Sequence, residues 1–211
     1  MVIANNITKN YGNKCVISNF SVKIQDGDFI SITGESGRGK TTLLNLLGLL
    51  EKPTGGKMVI DNIENPNNKE TLMLQRFKFG YLFQNYALIE NETVENNLKI
   101  ALAYRKNIRK KEEIAKSLSA VGLEGFEKRK IFTLSGGEQQ RVALARIFAK
   151  NCSAIFADEP TGNLDKRNRD LVFNLLKNLN EMGKTVVFVT HDMELASMAN
   201  SEINLRSYNM K

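Results

Sequence analysis

The chain has 211 residues, of which 42% are hydrophobic and 25% charged, an ordinary soluble globular balance with length for one domain or a domain with a subdomain. The net charge of +7 is moderately basic and permits anionic lipid, nucleic acid or nucleotide without selecting among them. No apolar run reaches the roughly 18 residues of a membrane-spanning helix, the N-terminus lacks a signal-peptide layout, and Cys15 and Cys152 read as reduced thiols of a cytoplasmic protein.

In chain order, residues 2–7 and 16–24 alternate as short strands around a turn at Gly12-Asn13, with Tyr11 at that turn. Asp26-Gly27-Asp28 leads into an alternating strand over 29–33. Next comes Gly34-Glu35-Ser36-Gly37-Arg38-Gly39-Lys40-Thr41-Thr42, which fits G-x-x-x-x-G-K-[ST], and then an apolar helix from Leu43. A strand-to-helix junction exposes unpaired N–H groups and the positive end of the helix dipole, and glycines let the backbone wrap a polyphosphate. Lys40 is thereby expected to reach the β- and γ-phosphates, and the Thr41 hydroxyl to hold Mg²⁺.

Pro53-Thr54-Gly55-Gly56 breaks the chain before a strand over 57–60. The Asn-rich residues 61–70 read as loop, and residues 79–83 as a strand ending at Gln84. Helical spacing dominates from 92 to 121, so that residues 86–150 read as a helical insertion in an α/β domain. The basic stretch 105–111, with no interleaved aromatics, reads as a solvated helix face and gives no nucleic-acid platform. Strands at 154–157, 185–189 and 203–205 alternate with helices at 172–182 and 193–199. That rhythm implies a mainly parallel sheet with its ligand at the strand C-terminal ends.

Two further segments carry chemistry. The strand at 154–157 ends in Asp158-Glu159, where Asp158 suits Mg²⁺ and Glu159 can orient or deprotonate an attacking water. Leu134-Ser135-Gly136-Gly137-Glu138-Gln139-Gln140-Arg141 opens a helix with a second anion-binding N-terminus. A second such site in one short chain makes sense if it serves another molecule's nucleotide.

Together with Gln84, Gly162-Asn163-Leu164-Asp165 and His191, these motifs resemble the ATP-binding cassette (ABC) ATPase family, in its order and over essentially the whole chain. The resemblance implies a P-loop NTPase of α/β class: a mainly parallel core (about 1–85 and 151–211), an N-terminal antiparallel β subdomain and an inserted helical subdomain (about 86–150). It also implies ATP and Mg²⁺ as cofactors and a homodimer that sandwiches two ATPs. Ser135, Gly136, Gly137 and Glu138 of each chain would then act on the other chain's nucleotide. Tyr11 would stack on adenine, Gln84 would meet Mg²⁺ or the water, His191 would contact the γ-phosphate, and Asp165 would line the dimer contact. Arg38 and Ile131 stand where many relatives have a small residue and a proline. Residues 159–165 are similar to the lipoprotein-releasing, macrolide-exporting and cell-division branch, and residues 83–89 and 92–98 to a bacteriocin-export group. The implied partner is a multi-span permease on the inner face of the membrane. A cell-division ATPase that drives a membrane partner without transport shares every motif.

Overall fold

The strands form two sheets in the computed structural model, which describes residues 1–162 and 164–205. An antiparallel sheet comprises β1 (Val2–Tyr11), β2 (Lys14–Ile24), β4 (Gly55–Ile60) and β5 (Ile63–Glu64), in the order β2-β1-β4-β5. The second sheet is parallel throughout. It comprises β3 (Phe29–Thr33), β6 (Phe79–Leu82), β7 (Ala154–Asp158), β8 (Thr185–Val189) and β9 (Ser201–Asn204), in the order β6-β7-β8-β3-β9.

The strands of the parallel sheet are apolar on both faces because helices cover both. Successive residues therefore enter two separate cores: Ile30, Ile32, Phe156, Val187 and Val189 face one, and Phe29, Ile155, Ala157, Val186 and Phe188 the other. The first core is closed by α1 (Lys40–Leu47), whose Leu43, Leu44, Leu46 and Leu47 are all buried. Burial of each leucine is worth about 1.5–3 kcal/mol. The second core receives α5 (Gly136–Lys150) and α6 (Lys166–Glu181). Parallel strands place all their C-terminal ends on one edge, and that edge carries the phosphate loop, Asp158 and His191.

Residues 61–70, expected to be loop, hold β5 and the start of α2 (Asn68–Phe77). Asn67 accepts hydrogen bonds from the Lys69 and Glu70 N–H groups, and the Glu70 carboxylate accepts from the Asn67 N–H at 2.8 Å. Asparagine before a helix is a cap, and a run of asparagines hides which one caps. The helical stretch after Glu92 is two helices, α3 (Val94–Ala101) and α4 (Lys110–Ser119). The basic stretch between them is only partly solvated. Arg105 donates to the Glu113 carboxylate at 2.6 Å and to the Ala149 carbonyl at 2.7 Å, fastening α4 to the end of α5. A short helix, α7 (Met193–Ser197), precedes β9.

Candidate functional site

The phosphate loop joins β3 to α1. Gly39 caps α1 at φ 84°, and a Cβ there would lie 2.7 Å from Val16 Cγ1, so both the conformation and the packing of the antiparallel sheet require glycine. The Lys40 ammonium donates to the Gly34 and Glu35 carbonyls at 2.9 and 3.0 Å, folded over the mouth of the loop. The exposed tip carries Ser36, Gly37 and Arg38, and Arg38 donates to the Glu35 carboxylate at 3.2 Å through both Nε and Nη2. Thr41 and Thr42 follow in the first turn of α1, where backbone N–H groups lack intrahelical acceptors.

Thr41 is brought to the end of β7: its hydroxyl donates to Asp158 Oδ1 at 3.2 Å. Burial holds the Asp158 carboxyl above the usual carboxylate range, against the opposing pull of Thr41 and Lys40. These hard oxygens suit Mg²⁺, whose neighbouring ligands at about 2.0–2.1 Å stand only about 2.9 Å apart.

Glu159 follows with φ 45°, a left-handed conformation that costs a non-glycine residue about 1–2 kcal/mol. Its N–H donates to the Val189 carbonyl at 3.2 Å, and its carboxylate meets His191 Nδ1 at 2.8 Å. A carboxylate only accepts, so Nδ1 carries the proton while Glu159 is ionised. β7 and β8 are neighbours in the sheet, which is why residues far apart in sequence meet here. Gln84 lines an open cleft together with Asp158, Tyr86 and Gln139.

Ser135 caps α5 in a full capping box. Its N–H and hydroxyl donate to Glu138 Oε2 at 2.8 Å each, and its Oγ accepts from the Glu138 N–H. The Ser135 N–H bond holds the Glu138 carboxyl below its usual range. Gly136 lies against the Tyr86 hydroxyl and Gly137 against Asn168. Asp165 caps α6 by accepting from the Asn168 N–H at 2.9 Å. Asn163 lies outside the described residues. Tyr11 is half-exposed at the end of β1, its hydroxyl bonded to Glu51 and Lys9 5.0 Å over its ring.

The structure thus groups Lys40, Thr41 and Asp158, and pairs Glu159 with His191, while the hydrogen bonds of the Ser135 side chain go to Glu138. Sequence reasoning passed over Arg146, which donates at 2.6 Å to both the Tyr86 and Ala87 carbonyls and so pins the loop after Gln84. It named Gln140 as part of the segment that opens α5 but not its contact: the buried amide donates to the Pro160 carbonyl at 2.6 Å.

A parallel sheet with this loop at its C-terminal edge makes the chain a P-loop protein built to hold a nucleotide's phosphates. The chain belongs to the ABC transporter family, whose profile it matches over residues 17–162. It is 39% identical over 210 residues to the macrolide export ATP-binding/permease protein MacB of Campylobacter jejuni, covering 98% of this chain but only 33% of MacB. It is likewise 39% identical over 207 residues to the lipoprotein-releasing system ATP-binding protein LolD of Aquifex aeolicus, covering 96% of this chain and 92% of LolD. Among solved structures it superposes, with a TM-score of 0.88 and 39% identity, on the ATP-binding cassette MJ0796 of Methanocaldococcus jannaschii, covering 97% of this chain and 94% of that one. That cassette was solved as a dimer in a post-hydrolysis state with ADP and Pi. The P-loop ABC ATPase fold read from the sequence is therefore the fold of this chain.

Proposed function

We propose that this chain binds MgATP at the phosphate loop, hydrolyses it within a homodimer, and powers a membrane permease. The observation that carries the reading is the Thr41–Asp158 pair set beside the Glu159–His191 pair at one sheet edge. Bound Mg²⁺ would supply charge neutralisation on the phosphates, held by Thr41 and Asp158 with Gln84 beside them. Lys40 exchanges two carbonyl bonds for phosphate oxygens, and the N–H groups from Gly34 to Thr42 supply the remaining donors. Glu159 takes a proton from the attacking water, help worth about 10²–10⁴ in rate, while His191 fixes its carboxylate and faces the γ-phosphate. Tyr11 stacks on adenine. Across the dimer, Ser135, Gly136, Gly137 and Glu138 of one chain close on the other's nucleotide, with Asp165 at the contact.

The solved dimer of MJ0796 supports the pairing, and the ATP-binding/permease composition of MacB, of which this chain spans about a third, supports a permease partner. So does an apolar groove lined by Leu72, Phe83, Ile100 and Tyr104 and flanked by Arg146 and Lys150. No helix among the described residues is long and apolar enough to cross a membrane, in keeping with a cytoplasmic subunit held at the membrane by its partner. We divide the chain into a nucleotide-binding core (about 1–85 and 151–211) and a helical part (about 86–150). The finer reading, export of a bacteriocin or other antimicrobial peptide, rests on the sequence of residues 83–89 and 92–98. Glu159→Gln should keep MgATP binding and accumulate an ATP-bound dimer on size exclusion. A variant that stays monomeric and hydrolyses at the wild-type rate refutes the assignment.

A further inference from the structure

The two segments that each chain would offer to its partner's nucleotide come from different elements, the turn before α5 and the turn before α6. One side chain between them engages both of its polar atoms at that junction. Asn168 Nδ2 donates to Asp165 Oδ2 at 2.7 Å, and Asn168 Oδ1 accepts from Arg141 Nη1 at 3.0 Å. The same amide lies so close to the start of α5 that a Cβ on Gly137 would stand 2.7 Å from its Cγ and its Oδ1. Gly137 is therefore the seat of this amide as well as part of an anion-binding turn.

We propose that Asn168 is a positioning residue that locks Asp165 and the Ser135-Gly136-Gly137 turn into one rigid surface for the partner chain's ATP. The inference rests on the dimer reading above. Its physical basis is tolerance: groups that must meet a ligand together have to be held within about 0.5 Å. Among the described residues no backbone hydrogen bond joins the two turns. The cap of α6 survives without the amide, because Asp165 Oδ1 accepts from the backbone N–H of residue 168. Aspartate would present two acceptors where a donor and an acceptor are needed, and leucine would present neither. The inference also gives the wide spacing between the signature and Asp165 a physical link. α5 is tied at Gln140 to the Pro160 carbonyl, directly after Glu159, and at Arg141 to Asn168. The surface offered to the partner is thus fastened to the backbone next to Glu159.

The test uses the full chain in the Glu159→Gln background. Asn168→Ala should leave the affinity of the monomer for a fluorescent ATP analogue within about twofold, and should weaken MgATP-driven dimerisation at least about tenfold, as expected for the loss of two hydrogen bonds to charged partners, Asp165 and Arg141. Asn168→Ala and Asp165→Ala combined should weaken dimerisation by less than the product of their separate effects, because one acts partly through the other. Equal dimerisation of Glu159→Gln with and without Asn168→Ala overturns the inference, as do multiplicative effects of the two substitutions. A parallel loss of monomer ATP binding overturns it too, since a merely structural role predicts that result. If Glu159→Gln alone fails to dimerise, the failure belongs to the dimer reading instead.

Discussion

Asp158→Asn should make the nucleotide-free protein more stable while removing its response to MgATP. The Asp158 carboxyl is held above its usual range chiefly by burial, and the Thr41 hydroxyl at 3.2 Å offsets only part of that. A raised folded-state value means that the native chain binds the proton more tightly than the unfolded chain does. The contribution of Asp158 is therefore fully present below the unfolded value and is lost as pH rises through the folded one. At neutral pH the wild type carries an under-solvated charge that asparagine lacks, and asparagine keeps an oxygen for Thr41. Relief of such active-site burdens is worth about 0.5–2 kcal/mol, and the partial solvent contact of this carboxylate places it near the low end.

For a chain of this size that is a rise of about 1–4 °C in Tm. Thermal denaturation without nucleotide at pH 7.5 should show it, with the gap closing as pH falls below the usual carboxylate range. With MgATP at about 100 times Kd the wild type gains about 2.7 kcal/mol, the variant gains far less, and the order reverses. If Asp158→Asn melts lower than wild type without nucleotide at pH 7.5, or if the gap does not depend on pH, the account of Asp158 as a strained cation ligand is wrong.

Arg146→Met should cost about 2–3 kcal/mol, because two carbonyls lose a charged donor while the methionine keeps the packing. Those carbonyls belong to Tyr86 and Ala87, at φ 62° and 47°, so hydrogen exchange should accelerate over the loop after Gln84 and little elsewhere; a uniform change across the chain contradicts this. Tyr11→Phe should bind ATP within about twofold of wild type, whereas Tyr11→Ala should lose about 1–3 kcal/mol, as stacking requires. An equal loss in both would assign the role to the hydroxyl and its Glu51 bond, measurable by nucleotide titration.

The phosphate loop was legible because its residues are contiguous and each has one physical task. The parallel sheet was legible because β8 runs apolar without a break from Val186 to Val189, as strands covered on both faces do. What the sequence hid are partnerships across elements. Glu159 and His191 meet only because β7 and β8 are adjacent, and strand order is not written in either strand. Asn168 and Arg141 look like the solvated polar faces of two ordinary helices, and only the crossing of α5 and α6 turns them into a joint. α2 was hidden for a different reason: the run of asparagines before it reads as loop until one of them is seen to cap.

Ser135 as it stands in a single chain is already satisfied. Its hydroxyl and N–H both engage Glu138, whose carboxyl is held ionised at the N-terminus of α5. A resident negative charge at that terminus answers the helix dipole and repels an incoming anion. The end of α5 is thus a poor phosphate site on its own. On the proposed reading it would become a useful one only when the other chain presents a polyphosphate already held by Lys40, Thr41 and the loop N–H groups, so that the gain across both faces exceeds the repulsion from one carboxylate. That asymmetry explains how a chain with two anion-binding helix ends would keep them from competing: one would capture nucleotide, and the other would recognise only a nucleotide already captured.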